Sequence, residues 1–340
     1  MAKKLLLALV SPILFFGVAE GTSRLVRPVS LPSPVIVKGD PAWSERYEPD
    51  YLLFWKLRPG RVENGEPFTN ALGLRGPEVG DKPADEFRIL SLGESSTFGW
   101  KLPYEEAYSA VLEARLGSID GKRVRVVNAG VPAYTSFQGY TWLRERGLDL
   151  RPDAVLIYFG ANDFTPVTFR SIRSAPWAEN AGMTDAEFFA WRQRPWMRLG
   201  SLLLEHSNLS RMLALRGSMK SPISAPRRSR SRVPTADRRA LLSDFRTLCE
   251  AHGIRFVVLI PWYREFGMHI PLLHEFAATH PTLVVDLPAK LEHLPRPRES
   301  YFLDAFHPNR EGQRQIALAI EEALRARWGA PGTGGSPAAP

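Results

Sequence analysis

The sequence predicts an α/β fold: a three-layer α/β/α sandwich around a parallel sheet of five strands. Three observations predict it. Short apolar runs with β-branched content recur along the chain, amphipathic helical stretches separate them, and successive runs end in small clusters of Gly, Ser and Asn. Strand alternating with helix is the pattern of a parallel sheet, because each crossover must travel back along the sheet before the next strand begins. No internal repeat interrupts it.

The chain opens Met1-Ala2-Lys3-Lys4 and then runs apolar from Leu5 to Ala19, broken only by Ser11, Pro12 and Gly17. Two lysines before a short apolar run match the first parts of a secretory signal peptide, and Gly17-Val18-Ala19 offers small residues for cleavage. A membrane helix needs roughly 20 apolar residues. Extending this run to Val26 takes in Glu20 and Arg24, which suit only the membrane interface. Residues 1–26 are therefore read as a signal peptide or a membrane anchor, and either sends the remainder to the periplasm or cell envelope. A buried N-terminal helix is the structural alternative. Residues 27–40, rich in Pro, Ser and Val, read as a spacer. Residues 41–86 read as an extension of short strands and turns packing on the main domain, with Gly73 and Gly76 as turn residues.

The main domain is placed at 87–328. Its strands are expected at Phe87–Leu92, Val124–Val127, Ala154–Phe159, Ile254–Ile260 and, more weakly, Leu283–Asp286. Helices are expected at Glu105–Leu116, Ser136–Arg146, Asp237–His252 and Arg310–Trp328; the third carries Leu241, Leu242, Phe245, Leu248 and Cys249 on one face. A long insertion occupies 163–239. Its aromatic first half, with Trp177, Phe188, Phe189, Trp191 and Trp196, reads either as a wall beside the site or as an amphipathic helix over the sheet. Residues 329–340 read as a disordered Gly/Pro/Ala tail.

Composition narrows the function classes. The lone cysteine, Cys249, excludes an internal disulfide framework and any multi-cysteine metal site. The net charge of +8 suggests nucleic acid, but eight basic residues against one acid fall between Arg216 and Arg239, leaving the rest of the chain close to neutral. That Ser/Pro/Arg segment reads as a solvated loop, and no nucleic-acid partner is expected. The histidines His206, His252, His269, His274, His280 and His293 show no metal-ligand spacing, and there is no P-loop and no G-x-G-x-x-G. No metal and no cofactor are expected.

Three successive strands end in Gly93-Glu94-Ser95, Asn128-Ala129-Gly130 and Gly160-Ala161-Asn162-Asp163. A parallel sheet brings such ends to one edge, where a hydroxyl, a glycine amide and a carboxamide can converge. Ser95 is the candidate nucleophile; its other reading is a turn or helix cap shared with Thr97. Asp163 is read as a structural cap. Far downstream, Asp304 precedes His307 by three residues, near enough in a turn for the carboxylate to hold the Nδ1 proton and leave Nε2 as a base.

With these residues in order, the chain resembles the SGNH/GDSL hydrolase superfamily: Gly93-Glu94-Ser95 is similar to its first block, Gly130 to the second, Asn162 to the third and Asp304-Ala-Phe-His307 to the last. The resemblance implies a flavodoxin-like fold with Ser95 as nucleophile, His307 as base and Asp304 as its orienter. It further implies an oxyanion hole from the Ser95 amide, the Gly130 amide and the Asn162 side chain. Asn70 to Glu78, and Asn309-x-x-Gly312 after the histidine, resemble bacterial envelope members with an N-terminal membrane segment. One departure is Glu94, where the family commonly has aspartate; that position is not the family's catalytic acid.

The expected function is a serine esterase cleaving an O-acyl, first of all an acetyl, ester of an envelope or extracellular glycan or lipid. Acyl transfer to an envelope glycan shares the same acyl-enzyme, and a non-catalytic glycan-binding or assembly protein is the alternative of another class. Trp100, Tyr134 and Trp177 are the candidate substrate-binding residues.

Overall fold

The computed structural model describes residues 2–28, 45–63, 66–165, 183–218 and 230–329. The chain divides into two compact units, one of residues 1–56 with 167–229 and one of residues 57–166 with 230–340.

In the first unit a helix runs Ala2–Val26, and β1 (Tyr47–Asp50) pairs with β2 (Phe54–Leu57), which ends at the unit boundary. Among the described residues no helix is long and apolar enough to cross a membrane. Three further helices follow at Asp185–Arg192, Pro195–His206 and Asn208–Ser218. The first of these starts at a reciprocal cap between Thr184 and Glu187, which satisfies two amides that a helix start leaves without partners. Its Arg192 donates to the Asp50 carbonyl (3.0 Å) and lies over the rings of Tyr51, Phe54 and Phe188, so its charge is matched where water is absent. Glu20 accepts from the amides of Asn208 and Leu209 at the start of the last helix.

The second unit carries the main sheet. Two short strands, β3 (Val62–Glu63) and β4 (Glu66–Pro67), precede it as an antiparallel pair. The sheet strands are β5 (Glu86–Gly93), β6 (Ser118–Ile119), β7 (Lys122–Gly130), β8 (Ala154–Tyr158), β9 (Arg255–Ile260) and β10 (Leu283–Asp286), in the spatial order β10-β9-β8-β5-β7-β6. Five are mutually parallel, as the sequence predicts. The sixth corrects the expected count: β6 is a two-residue antiparallel strand returning on β7 through Asp120-Gly121, both at positive φ (52° and 74°). Asp-Gly is the pair that a two-residue hairpin turn of this hand selects.

Strand β5 is buried along its whole length, as a central strand with helices on both faces should be. Phe87, Ile89, Val124, Val126, Leu156 and Val257 face one side and pack with Tyr108, Leu112 and Leu116 of the helix Tyr108–Leu116 and with Ile316, Ile320 and Leu324 of the helix Arg310–Trp328. The alternate residues Ile157, Phe159 and Val258 face the other side, near Leu241, Leu242 and Phe245 of the helix Thr235–Ala251 and Leu272 and Leu273 of the helix Ile270–Thr279. This is the three-layer arrangement. The helix expected from Ser136 to Arg146 is α-helical only over Ser136–Trp142 and widens into a π-turn over Leu143–Gly147.

Candidate active site

The register of the sheet places the site. Gly93, the last residue of β5, stands opposite Gly130 of β7 on one side and Tyr158 of β8 on the other. Three strands thus end flush, and the segments leaving them share one rim, the edge where open α/β sheets place ligands. Ser95 opens the single helical turn Ser95–Phe98.

The turn is held from several directions. Asn128 at the end of β7 donates to the Thr97 carbonyl (2.7 Å), and Gln313 of the last helix donates to the Ser96 carbonyl (2.8 Å) while accepting from the Tyr108 amide (2.9 Å). Ser96 Oγ donates to the Phe306 carbonyl (3.3 Å), joining the serine turn to the histidine loop across 210 residues of sequence. Arg75 lies over the rings of Phe68 and Phe98, so the segment before β5 also braces the turn.

The histidine loop is equally defined. Leu303 N–H donates to the His307 carbonyl (2.8 Å), and Asn309 N–H to the Tyr301 carbonyl (2.9 Å). Asn309 then caps the last helix by accepting from the Gly312 amide (3.0 Å). Asp304 Oδ1 accepts from the Phe306 and His307 amides, each at 2.9 Å, and both carboxylate oxygens lie within 2.9 Å of His307 Nδ1. On the far side of the ring, His307 Nε2 is 2.8 Å from Ser95 Oγ. A carboxylate accepts the Nδ1 proton, so Nε2 presents its lone pair to the serine hydroxyl, the arrangement that lets a histidine take a proton from an alcohol.

The charges fit this assignment. Burial holds the His307 pKa below the ordinary histidine value of 6.5, although its bond to Asp304 pulls the other way. Burial alone would raise Asp304; hydrogen bonds from His307 and the loop amides outweigh it and keep the carboxyl below its usual range. The ordinary state near neutrality is therefore a neutral imidazole beside a carboxylate. Trp100 stacks on the His307 ring at 5.3 Å between centroids.

The structure brings together Ser95, Asp304, His307 and Trp100 as the sequence predicts. Asn162 Nδ2 lies on Glu94 Oε2 at 2.6 Å, next to the serine. Gly130 requires a correction. It sits on the same rim, but its amide donates to Asn128 Oδ1 (3.0 Å) and so is engaged within the protein instead of facing a bound oxygen. Its lack of a side chain has a packing reason: a Cβ there would meet the Phe98 amide nitrogen at 2.4 Å. Tyr134, expected to line the cleft, is 2% exposed, because the turn from Val131 and the cap at Thr135 draw it inward. Trp177 lies outside the described residues. Asp163 is buried and accepts from Ser136 N–H and Oγ–H, a structural cap as expected.

A family model described as the GDSL-like lipase/acylhydrolase family matches residues 91–315. The chain belongs to that family. It is accordingly a serine ester hydrolase by family, and the match begins in β5 and runs past the histidine loop into the last helix. No curated protein matches the chain. Solved structures do. One is described as a putative lipolytic protein of the G-D-S-L family from Desulfitobacterium hafniense, 17% identical, covering 70% of this chain and 99% of its own, with a TM-score of 0.40. A lipase/acylhydrolase from Enterococcus faecalis is 18% identical, covering 72% and 98%, with a TM-score of 0.44. The acetylxylan esterase Axe2 from Geobacillus stearothermophilus is 17% identical, covering 72% and 95%, with a TM-score of 0.43.

Two residues at the site escaped sequence reading. Glu94 reads there only as a departure from an aspartate, and Tyr263 was not singled out at all. A signal for Tyr263 existed: Pro261-Trp262-Tyr263 leaves β9 as the other functional segments leave β5, β7 and β8.

Proposed function

We propose that this protein hydrolyses an O-acyl ester through a covalent acyl-enzyme formed on Ser95. The observation that carries the reading is the continuous chain from Ser95 Oγ to His307 Nε2 (2.8 Å) and from His307 Nδ1 to Asp304 (2.8 Å). His307 takes the hydroxyl proton as Ser95 Oγ attacks the ester carbonyl. The tetrahedral oxyanion is met by the Asn162 carboxamide and by the Ser95 amide, which as the first residue of a helical turn has no acceptor within that turn. His307 then gives the proton to the departing alcohol, and a water activated by the same imidazole releases the acid. Asp304 fixes the tautomer and supports the imidazolium in both halves.

The acyl group in this reading is acetyl, and the ester belongs to an extracellular or envelope glycan or lipid. What favours a small acyl group is the bulk of the Trp100 ring, which stacks on the His307 imidazole that holds the reacting hydroxyl. An ester series tests it, comparing acetyl, butyryl and longer p-nitrophenyl esters, with Ser95→Ala as blank. Turnover falling with chain length and absent in the blank supports the reading. A preference for long chains overturns the acetyl assignment, and undiminished turnover in Ser95→Ala overturns the mechanism.

A further inference from the structure

Beneath the serine turn lies a buried carboxyl that the mechanism above does not use. Glu94 is 2% exposed, and each of its oxygens has a partner. Asn162 Nδ2 donates to Oε2 at 2.6 Å, and the Tyr263 hydroxyl donates to Oε1. Tyr263, itself fully buried, accepts in turn from the Ala161 amide at 3.2 Å. Two donor arms converge on Glu94 and, through the Ala161–Asn162 backbone, close a ring: the Ala161 amide donates to Tyr263 and Tyr263 to Oε1, while Asn162 donates to Oε2. Ala161 and Asn162 are consecutive residues, so the ring clamps the backbone and the side chain of the same short turn, Ala161–Phe164.

A carboxamide nitrogen carries two N–H bonds in one plane. Fixing one of them on a carboxyl oxygen fixes the plane, and with it the direction of the other. The acceptor also sets which way round the amide sits, since the Asn162 oxygen turned toward Glu94 would face another acceptor. We propose that Glu94 and Tyr263 are a positioning pair for the reaction, holding Asn162 so that its second N–H faces the developing oxyanion. This rests on the acyl-enzyme reading of the same site.

The glutamate is matched to the tyrosine. Tyr263 reaches the pocket from the end of β9, and its hydroxyl and ring stand at 2.9 and 3.1 Å from where a Cβ on Gly160 would lie. A side chain at position 160 would therefore displace the tyrosine from the carboxyl. Burial also pushes the Glu94 pKa up to about 8, against the hydrogen bond from Tyr263 and aided by nearby Asp163.

The test is a pair of double-mutant cycles on the full chain, Glu94→Ala with Asn162→Ala and Tyr263→Phe with Asn162→Ala, with Ser95→Ala as control. Acting through Asn162, Tyr263→Phe and Glu94→Ala each lower kcat by about 10- to 100-fold with little change in KM, the range of a misplaced group outside the reacting atoms. Added to Asn162→Ala, neither lowers kcat further. Glu94→Gln keeps an oxygen for Asn162 and turns an N–H toward Tyr263, and loses less than Glu94→Ala. Circular dichroism identifies any variant that has lost its fold, and Tyr263→Phe, which removes one atom, carries the test if Glu94→Ala does not fold. Losses that multiply fully with that of Asn162→Ala, or that fall on KM, overturn the proposal while the hydrolase reading stands. A Ser95→Ala protein as active as wild type overturns both.

Discussion

His307 balances two opposing influences, and its pH behaviour reports which is stronger. Burial favours the neutral ring, Asp304 favours the charged one, and burial prevails, leaving the pKa below 6.5. The base works only when neutral, so kcat/KM should rise with pH along a limb centred below 6.5 and be level by neutrality. A pH-rate profile of the free enzyme checks this; a limb at 7 or above contradicts it. His307→Ala and Ser95→Ala should each remove nearly all turnover. Asn162→Ala, which deletes one oxyanion donor, should lower kcat on the order of 10²–10³-fold with KM nearly unchanged. Much of this chemistry was legible beforehand, because serine, histidine and aspartate each bring a distinctive function at a distinctive spacing. Gly130 was misread for the opposite reason. A glycine after a strand says that backbone approaches closely, and here what approaches is the protein's own Phe98 amide.

At the scale of elements, the site depends on how the histidine loop meets the last helix. Gly312 lies in the first turn of that helix, and a Cβ there would meet the Tyr301 carbonyl oxygen at 2.2 Å. That carbonyl accepts from Asn309, two residues past His307. Gly312→Ala must therefore shift the loop, with an expected destabilisation of about 1–3 kcal/mol from overpacking. It should also lower kcat, although residue 312 touches no reacting atom. Thermal unfolding and kinetics on the same preparation check both; an unchanged kcat would mean that the loop absorbs the strain away from His307. The parallel strands and the long helices were readable because their periodicity is strong, and the helix Arg310–Trp328 matches its expected ends. The hairpin at Asp120-Gly121 was not singled out, since its strand is only two residues long and carries no periodicity. The same limit hid Tyr263, whose partners Glu94 and Ala161 are more than 100 residues away in sequence.

For the molecule as a whole, the buried carboxyl links catalysis to stability. The Glu94 pKa rises from 4.5 to about 8 in the folded chain, chiefly through burial. A folded-state pKa above the unfolded one means the native protein holds the proton more tightly. The associated stability is complete below about pH 4.5 and is lost as pH climbs through about 8. Asp304 acts in the opposite sense, its depressed pKa contributing stability that disappears as pH falls through the acid range. The melting temperature should therefore decline from pH 5 to pH 9 in the wild type and decline less in Glu94→Gln, as followed by circular dichroism. Equal slopes would show that Glu94 ionises in the fold as it does in the unfolded chain. The central claim is that the hydroxyl facing His307 becomes acylated during turnover. Mass spectrometry of protein quenched during steady-state hydrolysis of an activated acetyl ester tests it most directly. One acetyl adduct is expected, mapping to the peptide containing Ser95 and absent from Ser95→Ala. Turnover with that peptide unmodified, and undiminished in Ser95→Ala, would contradict it.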